Sequence, residues 1–127
     1  MRIFLTSIIL SLLALIPHPS IAQEKVFTQA SCTIVYSLKR SADKYFNDEI
    51  VQLGRQINKH NIQFIDLNHW GKTSPHVEVS GRFRNQLRQQ YDLNKSINQA
   101  IVVDRSGKLT HRYTGSVTLV NLLLDCS

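Results

Sequence analysis

Alternating and continuous apolar runs along the chain predict four β-strands. Short β-branched runs predict strands at Cys32–Ser37 and Ile62–Leu67. The continuous apolar run Ala100–Val103 is typical of a strand buried on both faces. Turn residues follow it at Asp104–Gly107, and the alternation in Lys108–Tyr113 predicts a half-buried partner strand. The last two strands are therefore expected to form a hairpin.

Helical periodicity predicts three helices in the remaining sequence. The first is expected at Ala42–Lys59, where apolar residues recur every three or four positions. The second is expected at Ser80–Tyr91, with the Ser80 hydroxyl as its cap, and the third at Ser116–Leu124. The polar segment Gln23–Ser31 is interpreted as a leader or edge segment, and His69–His76 as a loop. The stripe of the first helix consists of Phe46, Ile50, Leu53 and Ile57.

The elements follow the order β-α-β-α-β-β-α, in which the first two strands are expected to be parallel with a right-handed crossover. Local features include the basic helix sequence RFRNQLRQQYDL and a strand followed by a D-x-x-G-K turn. Over Cys32–Leu67 and Gln99–Leu124 this order resembles the thioredoxin-like arrangement. More narrowly, the chain resembles DUF4174, a family of small exported bacterial domains of unknown function. The resemblance implies an α/β fold with a four-stranded mixed sheet and helices on both faces.

The first residues have the layout of a secretory signal peptide. Met1-Arg2 is positively charged, Ile3–Ile16 is apolar, and Ser20–Ala22 fits a cleavage site with small residues. The alternative is an N-terminal membrane anchor, but the apolar run is shorter than the roughly 20 residues that a span needs. We therefore expect a signal peptide at residues 1–22, a single domain at 23–127 and no membrane span after cleavage. The predicted location is periplasmic or secreted.

The charge balance favours an anionic partner. The chain has 15 Lys and Arg against 9 Asp and Glu, a net charge of +6. Lys39 and Arg40 precede the first helix, and Arg84 and Arg88 share a face of the second, so these four are candidate anion- or partner-binding residues. The alternatives are a solvated basic face, and a helix dipole already satisfied by Asp43.

The expected partner is an anionic envelope polymer or an unidentified protein. We expect the domain to be a monomer. No interleaved aromatic residues indicate specific nucleic-acid binding.

The two cysteines are predicted to form a disulfide. Cys32 begins the first strand and Cys126 follows the last helix, which should return to the level where that strand begins. The alternative is two separate thiols. Thioredoxin-like redox enzymes carry a C-x-x-C motif at the first strand–helix junction and a cis-proline before the third core strand. The corresponding segments, Ser37–Asp43 and Ser96–Gln99, contain neither cysteine nor proline, so dithiol exchange is not expected.

No other sequence pattern identifies an active site. Asp66, His69 and His76 do not match a standard spacing of metal ligands, and the favoured interpretation is a loop anchored by Trp70. No nucleophile elbow or spaced catalytic triad is recognisable. We therefore predict no catalytic residue, metal or cofactor, and a non-catalytic binding or accessory protein of the envelope. The alternatives are a divergent thiol-dependent oxidoreductase and a small hydrolase using the loop around His69.

Overall fold

The computed structural model describes residues 21–68 and 76–126, apart from the side chains of residues 21–24. Within these residues, five helices and four strands form a mixed α/β architecture. In chain order the elements are α1 Ile21–Thr28, β1 Cys32–Ser37, α2 Arg40–Gln52, α3 Gly54–Lys59, β2 Ile62–Asp66, α4 Gly81–Tyr91, β3 Gln99–Val103, β4 Leu109–Thr114 and α5 Leu119–Asp125.

The four strands form one mixed sheet in the order β2-β1-β3-β4. The first two strands are parallel, as the helical crossover between them predicts. Strand β3 is antiparallel to both β1 and β4, and a bulge lies at Val102/Val103 in the β3–β4 pairing. The predicted hairpin is therefore confirmed. Gly107 has a φ of +85°, which explains the glycine in its turn.

Successive residues of β1 point to opposite faces of the sheet, and each face carries its own core. Ile34 and Tyr36 belong to a cluster with apolar residues of α2, α3 and α5. Val35, between them, belongs to a cluster with Phe27 of α1 and residues of α4. This alternation follows from the two-residue period of a strand, and it explains why β1 is buried along its whole length.

The predicted helix Ala42–Lys59 is wrong as a single element, because the structure has two helices there. The first begins at Arg40, and the break comes at Leu53, which has φ −99° and ψ 16°. Gly54 follows directly, and glycine in a helix interior costs about 1 kcal/mol relative to alanine. The interruption still allows Ile57 to reach the same buried cluster as Ile50.

The chain also departs from prediction near its two ends. Instead of an edge segment, the residues before β1 include helix α1, whose Phe27 is buried and meets Tyr91 edge to face at 6.2 Å. The sequence does not reveal this helix because the segment Gln23–Ser31 is short and mostly polar. The last helix begins at Leu119 rather than Ser116, with Thr118 at the N-cap.

Residues 1–20 of the predicted signal peptide lie outside the described residues. Among the described helices, none is both long and apolar enough to cross a membrane.

Cys32 and Cys126 form a disulfide, which confirms the predicted pairing. Their Cα atoms are 5.6 Å apart. The bond joins the start of β1 to the end of α5, where Asp125 also accepts a hydrogen bond of 2.6 Å from the Tyr113 hydroxyl. His111 lies 3.7 Å from the same carboxylate. Helix α5, only seven residues long, is thus fixed to the sheet by covalent and polar contacts together.

Candidate functional site

Several buried polar residues lie where the parallel strands β1 and β2 end and α2 begins, among them Ser37, Asp43 and Asp66. In open α/β sheets, ligands bind beyond the carboxyl ends of the strands. Two groups of residues lie at this end. We name the first the cationic edge, consisting of Lys39, Arg40, Arg84 and Arg88. We name the second the buried network, consisting of Tyr36, Asp43, Asn47, Asp66 and His76.

Lys39 and Arg40 are exposed at the start of α2. Lys39 is the N-cap residue, and its side chain makes no capping hydrogen bond. Its backbone N–H donates to Asn98 Oδ1 at 2.7 Å, and the Asn98 carbonyl accepts from the Gly115 N–H at 2.7 Å. Asn98 therefore joins the β3–β4 hairpin to the backbone at the start of α2, where Lys39 and Arg40 lie.

Arg88 is directed towards the protein interior rather than towards solvent. Its guanidinium donates to Ser37 Oγ at 3.0 Å, to the Leu67 carbonyl at 2.9 Å and to Asn68 Oδ1 at 2.5 Å. Burial, followed by the neighbouring Arg84, lowers the pKa of this guanidinium, and Asp66 opposes that change. The solvated-face interpretation is therefore wrong for Arg88. Arg88 connects α4 to the ends of both parallel strands.

Arg84 is also partly committed to the fold. It is half-buried, and its Nη1 donates to the Val79 carbonyl at 2.9 Å. The cationic edge thus has two parts. Lys39 and Arg40 present exposed charges at a helix start. Arg84 and Arg88 instead donate hydrogen bonds to backbone and side-chain acceptors within the fold.

Asp43, in the first turn of α2, turns into the core instead of capping the helix. Its side chain is 1% exposed. The Asn47 amide donates to the Asp43 carbonyl at 2.8 Å and to its Oδ1 at 2.6 Å. The second carboxyl oxygen, Oδ2, faces no hydrogen-bond donor among the described residues. A buried carboxyl group in this position is expected to retain its proton.

Asp66, the last residue of β2, is a second buried carboxyl group near Asp43, and it is only 6% exposed. Burial, followed by the interaction with Asp66, raises the pKa of Asp43 to about 8. At neutral pH the Asp43 side chain is therefore predominantly neutral.

Tyr36 extends the buried network across β1. Its hydroxyl donates to Asn47 Oδ1 at 2.9 Å and also contacts His76 Nε2. The Asn47 amide nitrogen faces Asp43, so its oxygen is the atom that faces Tyr36. Because a hydroxyl has one proton, the His76 contact requires Nε2–H to donate to the Tyr36 oxygen. Burial raises the pKa of Tyr36 far above its ordinary value, which keeps the hydroxyl protonated.

His76 also belongs to the sheet edge. It forms a parallel bridge with Phe64, next to which the Val77 N–H donates to the Phe64 carbonyl at 2.8 Å. The predictions for His69 and Trp70 fall outside the described residues. Within the part of the chain that is described, no three His, Cys, Asp or Glu side chains are placed to hold a metal ion.

The buried network was not predicted from the sequence, although one signal was available. Asp43, Phe46, Asn47 and Ile50 have the spacing of one helix face, and all four are buried. Two polar residues on a predicted apolar face indicate that partners exist elsewhere in the fold. Periodicity does not identify these partners. Tyr36, Asp66 and His76 are far apart in the sequence, and only the pairing of strands in the sheet brings them together.

Comparison of the chain with protein-family models, with curated proteins and with solved structures gave no match. The functional argument therefore rests on the geometry of this site.

Proposed function

We propose that this protein is an exported thioredoxin-like domain of the DUF4174 type, located in the periplasm or secreted. It binds an anionic polymer of the cell envelope at the start of α2 and does not catalyse thiol exchange. One observation carries the proposal. Lys39 and Arg40 are exposed at the start of a 13-residue helix whose own first-turn carboxyl group is buried and protonated.

The electrostatics of α2 support anion binding. The N-terminus of a helix carries a partial positive charge, to which first-turn carboxylates usually contribute a compensating negative charge. Asp43 does not supply that charge at neutral pH, because its side chain is neutral and points into the core. The N-cap side chain also makes no capping bond. These features favour an external anion, with Lys39 and Arg40 beside it.

The sheet order supports the thioredoxin-like assignment. The parallel pairing of β1 and β2 and the antiparallel β3–β4 hairpin agree with the strand pairings expected from the sequence, within a sheet of order β2-β1-β3-β4. The disulfide is typical of proteins that fold in an oxidising compartment. Both observations agree with an exported domain.

The position of the cysteines argues for a structural role. Cys32 and Ser37 are at opposite ends of β1, roughly 17 Å apart at about 3.3 Å per residue. The end where thioredoxin-like enzymes carry reactive thiols here has Ser37 bonded to Arg88 and Lys39 bonded to Asn98. Hydrogen bonds within the fold therefore occupy the place of a thiol site.

Binding can be tested by retention on an immobilised sulfated polysaccharide. The variant Lys39→Glu/Arg40→Glu reverses the exposed charges of the cationic edge. The control Arg55→Glu/Lys59→Glu makes the same change in net charge on exposed residues of α3. That helix precedes β2 and so lies at the other end of the parallel strands. Arg88 is left unchanged because its replacement would disturb the fold.

We expect the wild-type protein and the α3 control to elute at similar salt concentrations, and Lys39→Glu/Arg40→Glu to elute much earlier. Salt should weaken all retention, because the attraction is screened. Equal elution of the two variants would mean that only net charge matters, and would contradict a site at the start of α2.

A further inference from the structure

A groove lies between helices α3 and α5, at the end of the sheet where β2 begins. Its volume is about 300 Å³, and its lining is mostly apolar. The lining includes Leu53 in the break between α2 and α3, Ile62 at the start of β2, and Leu123 of α5. Ile62 belongs to the buried core, and Leu53 and Leu123 pack against it. The groove is therefore an apolar extension of the core that reaches the surface.

Two exposed apolar side chains of α5 also line the groove. Val120 is 52% exposed and Leu124 is 64% exposed. They are one helical turn apart and share a face of the helix. Removing such side chains from water is favourable, so a ligand in the groove would gain from covering them. The disulfide at the end of α5 and the hydrogen bond to Asp125 hold this helix in place, so the groove is preformed, as small-molecule sites usually are.

The volume of the groove fits one hydrocarbon chain. An apolar cavity of about 150 Å³ binds benzene, which has six carbon atoms. The groove has about twice this volume and therefore accommodates about ten to twelve carbon atoms. A stable protein interface buries about 800 Å² on each partner, which is far more than a groove of this size offers. The size of the groove favours a small apolar molecule over a second protein.

Positive charge lies beside the groove. Gln56 and His60 are the polar residues of the lining, and they are one turn apart on the same side of α3. Lys59 is exposed three positions after Gln56, and the other exposed charge of α3, Arg55, is also positive. Helix α5 contributes one charged residue, Asp125, whose carboxylate is engaged by side chains of β4. These charges favour an anionic head group and disfavour a second copy of this chain.

We propose that the groove binds a single-chain amphiphile with an anionic head group, of the chemical class of a medium-chain fatty acid. Its hydrocarbon chain covers Val120 and lies against Leu53 and Leu123. Its carboxylate accepts a hydrogen bond from the Gln56 amide and is attracted by Lys59. This inference does not rest on the proposed function, because a sulfated polysaccharide has no hydrocarbon chain and the cationic edge lies at the other end of the parallel strands.

Binding of decanoate to the full chain tests the proposal. Backbone amide shifts are followed by NMR during titration below the concentration at which micelles form. We expect saturable binding at one site, with the shifts confined to α3, α5 and the start of β2. Decyltrimethylammonium, which has the same chain and a cationic head, should bind at least about tenfold more weakly, and the difference should decrease at high salt. Absence of saturable decanoate binding, or equal affinity for the two amphiphiles, would overturn the proposal.

Substitution of Val120 locates the site. Val120→Glu places a negative charge in the lining and should weaken decanoate binding at least about tenfold. The matched control Tyr45→Glu makes the same kind of change on α2 outside the groove, where Tyr45 is 71% exposed, and should bind like the wild type. Leu124→Glu is a second variant of the lining and should behave like Val120→Glu. Equal affinity of these lining variants and the control would contradict the site.

Three other occupants of the groove would each overturn the proposal. A wild-type dimer that Val120→Glu dissociates would show that a second copy covers the groove. Binding to vesicles of anionic phospholipid without binding of decanoate would identify a membrane surface as the ligand. Decanoate binding only after removal of residues 1–22 would show that the chain's own first residues occupy the groove in the full chain.

Discussion

Removal of the Cys32–Cys126 disulfide should destabilise the domain by several kcal/mol. The double substitution Cys32→Ala/Cys126→Ala deletes the bond without adding a polar group to the buried Cys32 position. The bond joins residues separated by 94 positions, and the chain-entropy relation gives about 4.7 kcal/mol for a loop of this length at 25 °C. Since small domains are stable by about 5–15 kcal/mol, the loss is about a third of the total or more.

Urea denaturation followed by far-UV circular dichroism measures this loss. For an m value of about 1–3 kcal/mol per M, the midpoint should fall by about 1.5 M or more. Wild-type protein unfolded in the presence of a thiol reductant is the matched control, and its midpoint should fall to that of the double variant. Agreement between the two would assign the change to the bond and not to the replaced side chains.

A change below about 1 kcal/mol would refute this reasoning. It would mean that the unfolded chain gains little freedom when the bond is removed. Helix α5 would then depend on its other contacts, such as the Tyr113–Asp125 hydrogen bond, for its position.

Three further predictions follow from the same structure. The wild-type protein should not reduce insulin disulfides above the uncatalysed rate, and turnover abolished by Cys32→Ala would contradict the structural role of the cysteines. Arg88→Ala should lower the free energy of unfolding by about 2–4 kcal/mol because it leaves buried acceptors without donors, whereas the exposed Arg82→Ala should change it by less than about 0.5 kcal/mol. Stability should also fall with rising pH between about 4 and 8, by up to about 1.4 kcal/mol per unit, because the unfolded state releases the Asp43 proton before the folded state does. Urea midpoints measured across this range should vary much less in Asp43→Asn, and an equal slope would contradict the assignment.

The strands and the hairpin were predictable because their signals are local. The apolar run of β3, the turn at Gly107 and the alternation of β4 all lie within one short segment of sequence. Helix α1 was not predicted, since Phe27 is buried by contact with Tyr91, a residue far along the chain. The break at Leu53 shows the same limit, because the weak helical propensity of Gly54 does not by itself distinguish a continuous helix from two.

The candidate site was only partly predictable. Lys39 and Arg40 were identified because basic residues at a helix start form a sequence pattern. The inward position of Arg88 depends on acceptors at Ser37 and Leu67, which the sheet brings to one end of the molecule. The state of Asp43 likewise depends on a long-range contact, and without it the sequence leaves open whether Asp43 neutralises the helix dipole.

The most direct test of the proposed function is the equilibrium affinity for a sulfated oligosaccharide, measured by titration calorimetry at two salt concentrations. We predict that Lys39→Glu/Arg40→Glu binds at least about tenfold more weakly than Arg55→Glu/Lys59→Glu at low salt, with the difference reduced at high salt. Both variants have the same net charge, so the comparison isolates the position of the charges. Equal affinities for the two variants would contradict the central claim that the start of α2 is the anion-binding site.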